Sequence, residues 1–98
     1  MKRKVSFHQL AEFELNDAAI FLDNERTGLG LRFLSAVEGG VAHIHDYPEA
    51  SPIVIENIRC KVLKGFPYSI MFSIRPDQIR ILAVANQRRR PFYWLGRD

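Results

Sequence analysis

The stretch Ile58-Arg59-Cys60-Lys61-Val62-Leu63-Lys64, Gly65-Phe66-Pro67, Tyr68-Ser69-Ile70-Met71-Phe72-Ser73-Ile74 decides the fold. Its apolar residues recur every second position, the period of a strand with one face on a core. Ile58, Cys60 and Val62 share one face and Arg59 and Lys61 the other. Gly65-Phe66-Pro67 supplies a turn, and Tyr68, Ile70, Phe72 and Ile74 alternate with smaller or more flexible side chains. Next, Arg75-Pro76-Asp77-Gln78 puts proline at the second turn position, where its fixed φ is favourable. Ile79 to Ala85 is apolar on both faces except for Arg80, which predicts an interior strand. These three strands make an antiparallel meander.

Upstream the period changes from two to about 3.6. Between His8 and about Arg26 no Gly or Pro interrupts, and Ala11, Leu15, Ala18, Ala19 and Leu22 recur at spacings of three and four, which predicts a helix with one buried stripe. Its acidic residues have the spacing of a solvated face. Thr27-Gly28-Leu29-Gly30 breaks the helix, and Thr27 is placed to cap a second one. There Phe33, Val37, Val41 and Ile44 form the buried stripe, and Tyr47-Pro48 ends it. Gly39 and Gly40 each weaken a helix interior by about 1 kcal/mol relative to Ala. They mark either a soft helix or a close packing neighbour. Glu49 to Pro52 reads as a loop, and Val5 and Phe7 alternate as in an opening edge strand. The fold class predicted is α+β: an N-terminal strand, an α-helical hairpin, then the meander, packed as a two-layer sandwich.

A chain of 98 residues, 47% of them hydrophobic, is the size of one domain, 1–98, and carries enough apolar surface to bury roughly 60–65% of what the extended chain exposes. No apolar run approaches the roughly 18 residues of a membrane span, and acidic residues follow the start before any signal-type region develops, so a cytoplasmic protein is expected. The single Cys60 cannot form an internal disulfide. His8, His43 and His45 have no ligand spacing, and no phosphate-binding glycine loop or nucleophile elbow is present, so neither metal nor cofactor is expected.

Charge is uneven. The chain carries net +3, yet from Arg75 to Arg97 there are six Arg and one Asp. Within that half, Asn86-Gln87-Arg88-Arg89-Arg90-Pro91-Phe92-Tyr93-Trp94-Leu95-Gly96-Arg97 mixes cations with aromatic rings just past a buried strand. Arginines fork onto phosphates or carboxylates, and flat rings stack or anchor in a partner's pocket. Two outcomes stay open: a working surface, or aromatic rings folded back as core beside a solvated basic end. Arg59 and Lys61 either join the tail in one basic concavity or are ordinary solvent-facing strand residues. Leu29, Leu31, Leu34 and Met71 are expected to remain uncovered by a two-layer domain, as an apolar interface.

In order and spacing, the junction Arg26-Thr27-Gly28-Leu29-Gly30 with Phe33, then Tyr47-Pro48, Arg59, Phe66-Pro67-Tyr68, Ile79 to Ala85, and Arg88-Arg89-Arg90-Pro91 with Tyr93-Trp94 resemble the RelE/ParE superfamily of toxins from bacterial type II toxin–antitoxin pairs. The resemblance spans nearly the whole chain. It implies a cognate, ParD-like antitoxin that binds the toxin directly as a hetero-oligomer. An acidic amphipathic segment is expected over Leu29, Leu31, Leu34 and Met71.

That superfamily contains two activities. RelE-type members are ribosome-dependent, metal-independent mRNA endonucleases whose sites gather Lys, Arg and Tyr around the scissile phosphate. The positions where they carry cations correspond here to Cys60, Val62 and Ser69, which weighs against that activity, whereas Arg88, Arg90 and Tyr93 match the nuclease tail. ParE-type members poison DNA gyrase and need a binding surface, not a catalytic constellation. Many relatives place His where this chain has Asn86. The resemblance therefore implies a ParE-like toxin with Arg59, Arg88, Arg89, Arg90, Tyr93 and Trp94 as the gyrase-binding surface. A RelE-like nuclease and a non-toxic binding module of the same fold are the alternatives.

Overall fold

The computed structural model describes residues 3–98. Strand β1 (Lys4–Phe7) leads into helices α1 (Gln9–Glu25) and α2 (Leu29–Asp46); a 3-10 turn at Pro48–Ala50 is followed by β2 (Ile53–Ile55), β3 (Ile58–Val62), β4 (Tyr68–Ile74) and β5 (Gln78–Asn86). The strands form one sheet in the order β1-β5-β4-β3-β2. The meander is as expected: β3 pairs antiparallel with β4, and β4 with β5. β1 returns beside β5 in parallel, from Lys4↔Gln78 to Phe7↔Ile81, which makes β5 an interior strand.

His8 starts α1, its Nδ1 accepting from the Leu10 N–H at 3.0 Å. The small residues of the predicted stripe let the two helices approach closely. Ala11, Ala18 and Ala19 are buried, and a Cβ added to Gly30 would lie 2.5 Å from the Ala19 carbonyl oxygen. Gly28 turns the chain at φ +91°, in the left-handed region where glycine is unstrained. Thr27 is not the cap of α2. Asp23, in the last turn of α1, reaches across so that its Oδ1 accepts from the N–H of Gly28 at 2.9 Å and of Gly30 at 3.2 Å. A carboxylate does this better than a hydroxyl, because the free N–H groups of a helix start carry partial positive charge.

Helix α2 buries Phe33, Val37 and Ile44 against Tyr68, Ile70 and Phe72 of β4 and Ile79, Ile81 and Val84 of β5. Phe33 stands edge-on to Phe66 with centroids 5.3 Å apart and tilted against Tyr68 at 4.9 Å. The two glycines of α2 separate in role. Gly40 is buried where a Cβ would come within 3.1 Å of methyls of Ile70 and Leu63, whereas Gly39 faces open space.

Three features depart from the sequence expectation. First, β2 is an additional edge strand paired with β3, turning back through Glu56 at φ +50°. Three residues are too few to show a period. Second, a bulge at Leu82 of β5 shifts the β4–β5 register, with Phe72 facing Ile81 and Met71 facing Ala83. Leu82 and Ala83 then both turn away from the helices. Third, the far face of the sheet is covered. Residues 87–98 cross it and bury Trp94 against Ile58, Met71, Leu82, Ala83 and Ala85. Met71, expected to be uncovered, is only 5% exposed for that reason, and Trp94, expected at the surface, is also 5% exposed.

Candidate functional site

Where β5 ends, Asn86 bends the chain: its Oδ1 accepts from the Arg88 N–H at 2.9 Å and its carbonyl from the Arg89 N–H at 3.0 Å. The Gln87 N–H donates to the Pro67 carbonyl at 2.9 Å, and its side-chain amide reaches Ser69 Oγ at 3.3 Å. Beyond Pro91, Phe92 takes φ +62°, a left-handed conformation that costs a bulky side chain free energy. Its ring is 45% exposed and meets Trp94 edge-on at 5.7 Å.

The six arginines of the basic half divide into two groups. Arg75, Arg80 and Arg97 are committed to the fold: Arg75 and Arg80 both donate to the Asp98 carbonyl, at 3.3 and 3.1 Å, and Arg80 also to the Phe7 carbonyl at 3.1 Å. Arg97 forks onto Glu14 with bonds of 2.9 and 3.0 Å and donates to the Leu82 carbonyl at 3.0 Å. Arg88, Arg89 and Arg90 are exposed, and their guanidinium groups make no hydrogen bond or ion pair among the described residues. The Arg89 guanidinium carbon sits over the Tyr93 ring, 4.1 Å from its centroid. The structure thus brings Arg88, Arg89, Arg90 and Tyr93 together at one end of the sheet, with Trp94 beneath.

Arg59 does not join them. Its neighbour Cys60 lines the cleft under the tail, so Arg59 points to the opposite face, where it donates to the carbonyls of Ser51 at 2.7 Å and Glu49 at 3.3 Å. It ties the 3-10 turn to β3, and of the two outcomes left open for Arg59, a basic concavity shared with the tail is the one that does not form.

Glu14 is a site residue that sequence reasoning missed. Its place among acidic residues on α1 suggested a solvated face, yet it is largely buried and accepts from Arg97, from the Tyr93 hydroxyl at 2.8 Å and from the Val84 N–H at 3.1 Å. Burial, then the hydrogen bond to Glu14, push the Tyr93 hydroxyl well above its ordinary pKa, so it stays protonated. A cleft of about 270 Å³ opens beside this cluster, lined by Glu14, Asp17, Phe21, Asn86, Arg89 and Tyr93. No group of three or more His, Cys, Asp or Glu able to hold a metal occurs among the described residues.

On the hairpin, Leu31 is 72% exposed while Leu29 and Leu34 are half-buried, and Leu31 and Leu34 line a groove with Ala19 and Ile20. Leu10, Phe13, Ile20 and Phe21 of α1 are exposed as well. At 100° per residue they share one arc, opposite the alanine stripe. That second periodicity was the signal for an apolar outer face. Among the described residues no helix is long and apolar enough to cross a membrane.

These features define a small α+β class: strand, helical hairpin, sheet, and a basic-aromatic turn past the last strand. Among solved structures, a chain of the chromosomal ParDE TA system from P. aeruginosa superposes with a TM-score of 0.77, covering 87% of this chain and 96% of that one at 15% identity. At that identity the likeness is one of fold. No protein-family model and no curated protein sequence matches the chain.

Proposed function

We propose that this chain is the toxin of a bacterial type II toxin–antitoxin pair, of the ParE kind, acting in the cytoplasm by binding DNA gyrase. The observation that carries this reading is the shared fold, over 87% of the chain, with a chain of a ParDE system. The exposed Arg88, Arg89 and Arg90 support it as a target-binding surface, because guanidinium groups without a carboxylate partner among the described residues are available to an anionic one. Tyr93 helps present them through its stacked contact with Arg89. Trp94 supports the surface from below. Arg59 is a secondary target-binding candidate at a separate place.

In this reading a ParD-like antitoxin covers the exposed apolar residues of the hairpin, Leu31 and Leu34 with the flanking Leu29. An amphipathic segment is the partner such a face fits. Met71, buried under Trp94 on the sheet face away from the helices, is not part of that surface.

The alternative, a RelE-like mRNA endonuclease with Arg88, Arg90 and Tyr93 at its centre, has less support. The Tyr93 hydroxyl donates to Glu14, and burial holds it protonated, which suits a structural phenol better than a proton acceptor.

The test is a gyrase supercoiling reaction with the purified chain, scored for lost supercoiling and accumulated cleaved DNA. Cleavage complexes that disappear when Arg88, Arg89 and Arg90 are all replaced by Ala support the proposal. A chain that arrests growth on induction without affecting gyrase, but cleaves mRNA on ribosomes, replaces it with the nuclease reading.

A further inference from the structure

A further cleft, of about 290 Å³, lies between α2 and the end of β3. Gly39 and His43 line it from the helix, Lys61 and Lys64 from the sheet, and neither a carboxylate nor a residue of the tail is among its walls. From this convergence of two ammonium groups and an imidazole on a space opened by a glycine, we infer that the cleft is a site for a small phosphomonoester, its phosphoryl group held by Lys61, Lys64 and His43.

Lys61 shares the helix-side face of β3 with Arg59. Arg59 is bound to the Ser51 and Glu49 carbonyls, whereas Lys61 and Lys64 have no carboxylate partner among the described residues. Their backbone is fixed. Lys61 pairs with Ile70 across the ladder, and Lys64 stands between Leu63, whose N–H donates to the Tyr68 carbonyl at 3.0 Å, and Gly65 at φ +86°. The His43 ring rests against Tyr47, with centroids 5.5 Å apart, and either neutral tautomer presents one N–H. Gly39 supplies an independent argument. Gly40 is required by packing, since a Cβ there would press on Ile70 and Leu63, but a Cβ at Gly39 meets nothing within 4 Å. A helix-interior glycine without a steric cause weakens α2, and no contact in the fold repays it. What it leaves is room in the cleft, one turn from His43 on the same face of the helix.

The donor set selects phosphate over carboxylate. A phosphomonoester carries a charge of about −1.5 to −2 and three terminal oxygens, one for each of the two ammonium groups and the imidazole N–H. Lysine binds phosphate as a compact point charge and needs no forked geometry. The cleft volume lies at the low end of what ligand sites occupy, so the organic part is compact, and Ala36 and Leu63 give it an apolar wall. The cleft is separate from the tail and from the hairpin groove, so the inference goes beyond the toxin reading: a gyrase result of either sign leaves it in place.

The test is an amide NMR titration of the full chain with phenyl phosphate, inorganic phosphate and phenylacetate. Phenyl phosphate is expected to shift the amides of Gly39, His43, Lys61 and Lys64. It should bind about tenfold more tightly than phenylacetate, which keeps the ring but carries a carboxylate, and more tightly than inorganic phosphate, which lacks the organic part. Lys61→Ala and Lys64→Ala are each expected to weaken it about tenfold, the worth of one charge-assisted hydrogen bond. Gly39→Leu, which fills the cleft, is expected to abolish binding while raising the melting temperature, a combination that loss of the fold cannot give. Lys4→Ala, a cation removed from β1, should change nothing. Absence of shifts at these amides overturns the inference, as does phenylacetate or inorganic phosphate binding as tightly as phenyl phosphate. So does either lysine variant binding like the parent chain, or tighter capture at the same amides of a phosphoserine peptide or an oligothymidylate, which would make the ligand a macromolecule.

Discussion

Arg97 grips Glu14 with two hydrogen bonds, at 2.9 and 3.0 Å, across 83 residues of sequence, and both side chains are only about one-eighth exposed. The pair completes a sheet edge. β1 accompanies β5 only as far as Ile81, beyond which the Val84 N–H and the Leu82 carbonyl would face a missing strand. Glu14 accepts from the first and Arg97 donates to the second. Backbone groups at a buried edge need partners, and here two side chains stand in for a strand.

That role makes the pair harder to replace than an ordinary buried ion pair. Arg97→Ala is expected to cost about 3 kcal/mol, the penalty of leaving a largely buried carboxylate without its cation. Exchanging both residues for apolar ones, Glu14→Leu with Arg97→Met, is often neutral elsewhere but should not recover stability here, because it orphans Val84 and Leu82. Urea unfolding followed by Trp94, the single tryptophan, measures both. Full recovery in the double variant would show that the backbone contacts are dispensable.

Tyr93 supplies a signed pH dependence. The folded state holds its proton more tightly than the unfolded chain does, through burial first and the bond to Glu14 second. The resulting stability is fully present below about pH 10, the unfolded value, and is lost as pH rises above it. Tyr93→Phe is expected to be less stable by about 2 kcal/mol at neutral pH and to show a shallower alkaline loss than the parent chain. Parallel denaturation curves from pH 8 upward give the comparison.

The glycines give a paired test of helix packing. Gly30→Ala places a methyl 2.5 Å from a backbone oxygen of α1, so the hairpin must open, at an expected cost of about 1–3 kcal/mol. Gly39→Ala meets nothing within 4 Å and should stabilise by about 0.5–1 kcal/mol. Thermal melts of the two variants are expected to move in opposite directions.

Asp23 caps a helix that is not its own. Asp23→Ala removes acceptors for the Gly28 and Gly30 N–H groups and is expected to cost about 1 kcal/mol, whereas Thr27→Ala should cost little. Amide hydrogen exchange at Gly28 and Gly30 should accelerate in the first variant only.

The legible parts of the molecule were those written in local periodicity. Ala11, Ala18 and Phe33, Val37, Ile44 announce two helices, and Ile70 to Val84 announce interior strands, because burial on one face repeats at the spacing of the element. The free arginines were legible as a cluster, since Arg88, Arg89 and Arg90 are consecutive. Glu14, Asp23 and Arg59 were not. Each acts through a partner remote in sequence or through a backbone carbonyl that no side-chain pattern marks.

The sequence by itself determined the order of elements, the helical hairpin, the meander and the basic turn after its last strand, because propensity and hydrophobic period act over a few neighbouring residues. Tertiary structure alone decided that β1 pairs in parallel with β5, that the tail folds back to bury Trp94 and Met71, and that Arg75, Arg80 and Arg97 are tied into the fold. Those outcomes depend on which backbone and side-chain groups remain unsatisfied once the sheet has closed, a property of the assembled chain that no local window contains.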